Sequence, residues 1–288
     1  MPIDPRLAAL GYSPVGAAQL GRKKRLFISM EGAPATGKTD FLKRCPPPQV
    51  CIDFDRGMEG VAEYDIWGNE IVHKFIDMPD LDIGGILPTQ AELQIARNSY
   101  TEFKDLMHKT FVALDSIGGG TLSIETGGAA YAIAQIARFG QLGKIGEVPI
   151  GAWDPMKAEF ERIFLEYSNY AGVNLLVTHR QGSKYGGMVG EKDLKGYKEM
   201  AHLAQVHLWF QKVYRRNAVG VVQRNAKGGE EFDLVRKVVK CRQRLSLEGA
   251  EFPVVFLDDE MQESVGGDFE TIAAAVFPET SREDWFAA

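Results

Sequence analysis

A chain of 288 residues with 45% hydrophobic content can bury one large core, or one core with a small appendage. Its net charge of −6 excludes a generally basic nucleic-acid coat while leaving room for a local basic groove facing DNA or RNA. Cys45, Cys51 and Cys241 have neither C-x-x-C nor Cys/His metal spacing and read as reduced structural thiols; with no apolar run of signal-peptide or membrane-span length, a cytoplasmic protein without a membrane partner is expected.

Residues 1–21 mix Pro, Gly and Ala and read as an N-terminal arm. Arg22-Lys23-Lys24-Arg25 then leads into Leu26 to Met30, a short β-prone run. The next stretch, Gly32-Ala33-Pro34-Ala35-Thr36-Gly37-Lys38-Thr39, fits the phosphate-binding pattern G-x-x-x-x-G-K-[ST], and Asp40 to Arg44 can open a helix behind it. Strand, glycine loop and helix are the context this motif requires. Gly32 and Gly37 let successive backbone N–H groups turn toward phosphate oxygens at the positive end of the helix. Lys38 would reach the β and γ phosphates of ATP, and the Thr39 hydroxyl would bind Mg²⁺.

Cys45-Pro46-Pro47-Pro48 must end that helix, because proline lacks the donor that continuation needs. Val50 to Asp55 reads as a second buried strand, with Asp55 at its carboxyl end, where ligands gather in open α/β sheets. There Asp55 is either a loop-capping carboxylate or a general base orienting water toward the γ phosphate. A strand at Glu70 to Ile76 and a long amphipathic helix at Ala91 to Val112 follow.

Two acids compete to hold the Mg²⁺ water shell as a Walker B residue: Asp115, before a triple glycine, and Glu125, closing Thr121 to Glu125. A plausible helix from Ala129 to Phe139 follows Glu125, and this strand-then-helix order favours it. Trp153 to Tyr170 reads as a packed helix, and Val173 to Thr178 as a buried strand presenting Thr178 and His179, a polar pair placed to sense a γ phosphate.

From Arg180 to Lys198 the chain is rich in Gly, Lys and Tyr. Lys184, Tyr185, Lys192 and Lys195 suit single-stranded nucleic acid, with lysines meeting phosphates and tyrosine offering a stacking face; a lid over ATP or a solvated loop fits the composition equally. Strand-like runs at Val206 to Val213, Val219 to Arg224 and Leu234 to Cys241 suggest an antiparallel extension. The last leads into Lys240-Cys241-Arg242, two cations at i and i+2 that could reach a neighbouring subunit's γ phosphate. The tail 258–288 carries nine acidic residues against the single Arg282 and is a candidate docking site for a protein partner.

Taken together, the Gly32 to Thr39 loop, the Ile52 to Asp55 strand, the Thr121 to Glu125 strand, Thr178-His179 and Lys240-Cys241-Arg242 resemble the RecA-like P-loop ATPases of the ASCE class, most closely small phage-encoded ones linked to single-strand-annealing recombination. The resemblance implies an α/β RecA-like fold over 22–257, a mainly parallel sheet flanked by helices with an antiparallel C-terminal extension. It further implies Mg²⁺-dependent ATP hydrolysis in a homo-oligomeric ring or filament acting on single-stranded DNA. Asp55 stands where that family usually has a Glu as catalytic base, and Glu125 where its Walker B residue is usually Asp. His179 matches the γ-phosphate sensor, and Lys240 and Arg242 the K-x-R pair acting across a subunit interface. Rival readings are a helicase or packaging motor, a P-loop small-molecule or nucleoside kinase, and a nucleotide-binding scaffold with negligible turnover.

Overall fold

The computed structural model describes residues 24–54, 56–58, 63–79, 88–140, 150–170, 172–183, 192–194, 197–225, 228–256, 264–265 and 267–286. Its organising layer is a ten-stranded sheet. The central strand is β1 (Phe27–Gly32), almost wholly buried, as an apolar run covered on both faces must be. On one side β1 pairs in parallel with β5 (Val173–Ser183), which pairs with β4 (Gly120–Glu125), then β2 (Gln49–Asp53), then β3 (Ile71–Phe75) at the edge, all parallel. On its other side β1 pairs in parallel with β7 (Val206–Tyr214). From there β8 (Phe232–Cys241), β9 (Glu251–Phe256) and β10 (Ser264–Val265) continue antiparallel. The short β6 (Lys192–Leu194) folds back antiparallel on the end of β5. A mainly parallel α/β sheet with an antiparallel C-terminal extension is thus the architecture that forms, as expected.

Helices cover both faces. One face packs against α2 (Gln90–Ser116), α3 (Gly127–Phe139), α4 (Ile150–Leu165) and α5 (Met200–Leu203), burying Phe27, Val177, Phe103, Ile133, Phe160 and Phe164 together. The other packs against α1 (Lys38–Leu42) and α6 (Phe269–Val276), burying Ile28, Met30, Leu208, Phe210, Phe41 and Phe269. Each such side chain contributes roughly 1.5–3 kcal/mol by leaving water.

The start of α2 is fixed by a capping box. Thr89 Oγ1 accepts the Glu92 N–H at 3.2 Å, while the Glu92 carboxylate accepts from the Thr89 hydroxyl at 2.7 Å and the Thr89 N–H at 2.6 Å, two bonds that lower the Glu92 pKa. The helix runs to Ser116 and so contains Asp115, which is exposed and precedes β4, at the end of that strand opposite Glu125. The strand-terminal acid is Glu125.

The expected strand at Val219 to Arg224 does not form. Asn217 and Asn225 each open a tight turn, their N–H groups donating to Val221 O and Gly229 O at 2.9 and 2.8 Å. Asn217 Oδ1 accepts from Val219 N and Val221 N, and Asn225 Oδ1 from Gly229 N, leaving only isolated bridges such as Arg216 to Val222. Asx turns outcompete the ladder here.

The C-terminal segment packs on the core. Trp285 and Phe286 are buried with Phe269, and the Trp285 indole N–H donates to Thr280 Oγ1 at 3.1 Å. Glu270, Glu279 and Glu283 remain exposed, so a partner docking there would meet an acidic exterior whose aromatic anchors are already engaged within the chain. Among the described residues no helix is long and apolar enough to cross a membrane.

Candidate nucleotide site

The P-loop leaves the sheet at the carboxyl end of β1, between β5 and β7. Gly32 has no room for a side chain: a Cβ there would lie 2.7 Å from Thr36 Oγ1 and 2.9 Å from both Phe210 Cβ and Phe210 O. The loop is closed from inside by buried Thr36, whose hydroxyl donates to Ala33 O at 2.8 Å. Gly37 takes φ 86°, the left-handed conformation that glycine adopts at least cost, and its carbonyl accepts the Phe41 N–H at 3.0 Å to start α1. Pro34 and Ala35 form the outer bend, with Ala35 at φ 56°. The Lys38 ammonium reaches across the loop to Gly32 O at 2.8 Å and Ala33 O at 3.0 Å. Thr39 and Asp40 occupy the first turn of α1, and Asp40 accepts from Arg44 at 3.2 Å. The loop is therefore a cradle whose wall no side chain fills, with a cation at its mouth and the N-terminus of α1 behind it.

Two carboxylates stand at the same sheet edge. Asp53 closes β2 directly beside Glu125 of β4, is fully buried, and its Oδ2 accepts the Met58 N–H at 3.0 Å. Glu125 accepts from Thr178 Oγ1 on β5 at 2.5 Å, and Thr178 shares its sheet face with Met30, the face that carries α1. Asp55 lies outside the described residues.

His179 points the other way. Alternation along β5 turns its ring toward α3, where it is fully buried and sits beneath Gly127; a Cβ on Gly127 would lie 2.5 Å from His179 Cε1. Neither ring nitrogen has a hydrogen-bond partner among the described residues. Burial, with a smaller contribution from His207, lowers its pKa to about 3, so the ring is neutral. The member of the polar pair on the α1 face is Thr178, and His179 faces α3. His207 is itself buried, 3.1 Å from Ser29 Oγ and 3.7 Å from Glu31 Oε2.

Lys240 and Arg242 lie at the opposite rim of the sheet. Lys240 is opposite His207 and Cys241 opposite Val206, at the start of β7, whereas Gly32 aligns with Phe210 further along the same strand. Lys240 Nζ lies 2.6 Å from His202 Nδ1, and Arg242 Nη1 donates to His202 O and Leu203 O at 3.1 and 3.4 Å, capping the carboxyl end of α5. Neither cation can serve the P-loop of its own chain. Lys192 opens β6 opposite Ser183, beyond the P-loop rim, while Lys184, Tyr185 and Lys195 lie outside the described residues.

Sequence reasoning missed Arg236, on β8 opposite Phe210, which is buried behind the loop. A charge sharing a strand with buried valines was the available signal. Among the described residues no group of three or more His, Cys, Asp and Glu side chains is arranged to hold a metal ion, so a cation here would depend on Thr39, Glu125 and the phosphates themselves.

No protein-family model matches the chain, and no curated protein matches it. Among solved structures it is similar to the RadB recombinase, at 11% identity and a TM-score of 0.38, over 87% of this chain and 93% of that one. It is also similar to the flagellar accessory protein FlaH from Methanocaldococcus jannaschii, at 10% identity and a TM-score of 0.39, over 93% and 96%.

Proposed function

We propose that this chain binds and hydrolyses ATP with Mg²⁺ as a RecA-like, phage-encoded protein acting on single-stranded DNA in recombination or replication. The observation that carries the reading is the juxtaposition at one sheet edge of a P-loop with no room for a side chain at Gly32 and a Glu125–Thr178 pair on the loop's own face. Backbone N–H groups of 35–39 and Lys38 hold the β and γ phosphates, and Thr39 with Glu125 would hold Mg²⁺, which keeps most of its water and phosphate ligands and so needs few from protein. When bound, the ion neutralises charge developing on the phosphate oxygens. Asp55 takes the proton of the attacking water as its oxygen bonds to the γ phosphorus and the bond to the β–γ bridging oxygen breaks, releasing ADP and phosphate. Lys240 and Arg242, remote from their own loop, act on a neighbour's, which makes the working unit a homo-oligomer.

The test is the ATPase rate with and without single-stranded DNA, alongside mass measurement with and without ATP. Stimulation by DNA together with ATP-dependent assembly is expected. Turnover by a monomer indifferent to DNA would replace the reading with a P-loop kinase or scaffold, and strand separation would make the protein a helicase or motor.

A further inference from the structure

The antiparallel extension drives a charge into the core directly behind the P-loop. Arg236 is 1% exposed, and its guanidinium packs against both the Phe41 and Phe210 rings, 5.0 and 5.2 Å from their centroids, which themselves meet edge to face 5.7 Å apart. Nη1 donates to Gly267 O, and Nη2 is 3.6 Å from Asp40 Oδ2. Nε has no hydrogen-bond partner among the described residues. Burial lowers its pKa to about 10 against the opposing pull of Asp40 and Asp268, so it is a cation at neutral pH.

A buried charge costs several kcal/mol, and a well-packed apolar residue in its place is often neutral or stabilising. Stability therefore does not explain Arg236. Its contacts converge on the loop: Asp40 follows Thr39 in the first turn of α1, Phe41 donates its N–H to Gly37 O, and Phe210, with Thr36, leaves no room for a side chain at Gly32. The remaining contact, Gly267, opens the segment that carries α6; it too is held close, a Cβ there meeting Arg236 Cδ at 3.2 Å. One guanidinium thus ties the first turn of α1, the strand flanking the loop and the C-terminal segment.

We propose that Arg236 is a positioning residue of the nucleotide site, setting the first turn of α1 against β7 and making the geometry of the P-loop depend on the C-terminal segment. The proposal rests on the P-loop reading above. It acts through Asp40 and Phe41, without touching nucleotide itself.

The experiment compares wild type, Arg236→Met and Arg236→Lys for Mg·ATP affinity by calorimetry, for the split between KM and kcat, and for Tm. Met fills the space without the charge or the fork of donors; Lys restores the charge alone. Arg236→Met is expected to keep a Tm near that of wild type while its affinity for Mg·ATP falls on the order of tenfold or more, as small misplacements of a binding group do. The loss should appear in KM more than in kcat, with Arg236→Lys intermediate. Combining Arg236→Met with Asp40→Asn should cost less than the product of the two single losses, since both break the same interaction. Wild-type affinity in folded Arg236→Met, or in Arg236→Lys if the methionine variant does not fold, overturns the proposal. A wild-type protein that does not bind Mg·ATP would instead remove the nucleotide reading itself.

Discussion

Thr178 Oγ1 donates to Glu125 Oε2 across 2.5 Å, joining a hydroxyl of β5 to the carboxylate of β4 on the face that carries the P-loop helix. A carboxylate fixed in this way presents its other oxygen in a defined direction. Glu125→Gln should raise the Mg²⁺ concentration needed for half-maximal ATPase activity by about tenfold or more, and Thr178→Val should do so by a smaller factor, because it removes one hydrogen bond to the carboxylate and leaves its charge in place. Asp115→Asn, on the exposed end of α2, should leave the Mg²⁺ dependence unchanged; a shift there with none in Glu125→Gln would reassign the acid.

Lys38→Ala removes the cation that spans the loop mouth. Turnover should fall by about 10²–10³-fold, the scale of removing one donor to a transition-state oxygen, with an unchanged circular dichroism spectrum. Full ATPase activity in the folded variant would place the nucleotide elsewhere.

His179 is buried neutral with its pKa lowered to about 3, against an ordinary value of 6.5. Between these values the unfolded chain binds the proton and the folded chain does not, so acid favours unfolding. The stability contributed by the neutral ring is fully present above pH 6.5 and lost as pH falls toward 3, with a slope approaching about 1.4 kcal/mol per pH unit from this one group. Chemical denaturation of His179→Leu from pH 7 to pH 4 should show a shallower decline than wild type; parallel curves would count against a buried neutral ring.

Arg242→Ala tests the trans assignment by mixing. Such protomers keep a P-loop and lack the trans-acting guanidinium, the finger that reaches a neighbour's phosphate, while Lys38→Ala protomers have the reverse defect. Combining them should restore part of the ATPase activity at interfaces that join an intact loop to an intact finger. No rescue in mixtures shown to exchange subunits would leave Arg242 as the cap it forms on His202 O and Leu203 O.

Neutralising Lys184, Lys192 and Lys195 together should weaken single-strand binding and flatten its salt dependence, by about 0.7 in log–log slope for each phosphate no longer neutralised. Fluorescence titrations at several salt concentrations read this directly. An identical slope would leave the segment as a lid.

The parallel core was legible because its signals are local. Leu26 to Met30 is a buried apolar run, the P-loop announces its strand and helix, and Thr121 to Glu125 is both β-prone and followed by a helix. What escaped was decided by contacts distant in sequence or by turn chemistry. Asn217 and Asn225 convert a β-prone valine run into paired turns, a competition that residue propensities do not rank. The face of His179 depends on the register of β5, one residue from the alternative, and that register is set by pairing with β1 and β4. Trp285 and Phe286 read as the end of an acidic tail until α6 supplies the surface they cover.

The docking of that tail also bears on synthesis. The apolar side of the P-loop helix, Phe41 and Leu42, belongs to the same buried cluster as Phe269, Trp285 and Phe286, which the ribosome makes long afterwards. Domains generally fold as units, and a helix of five residues has no stability of its own. A nascent chain that has already exposed its whole P-loop sequence therefore still lacks the apolar surface that holds α1 in place, and the loop takes its shape only once 269–286 have been made.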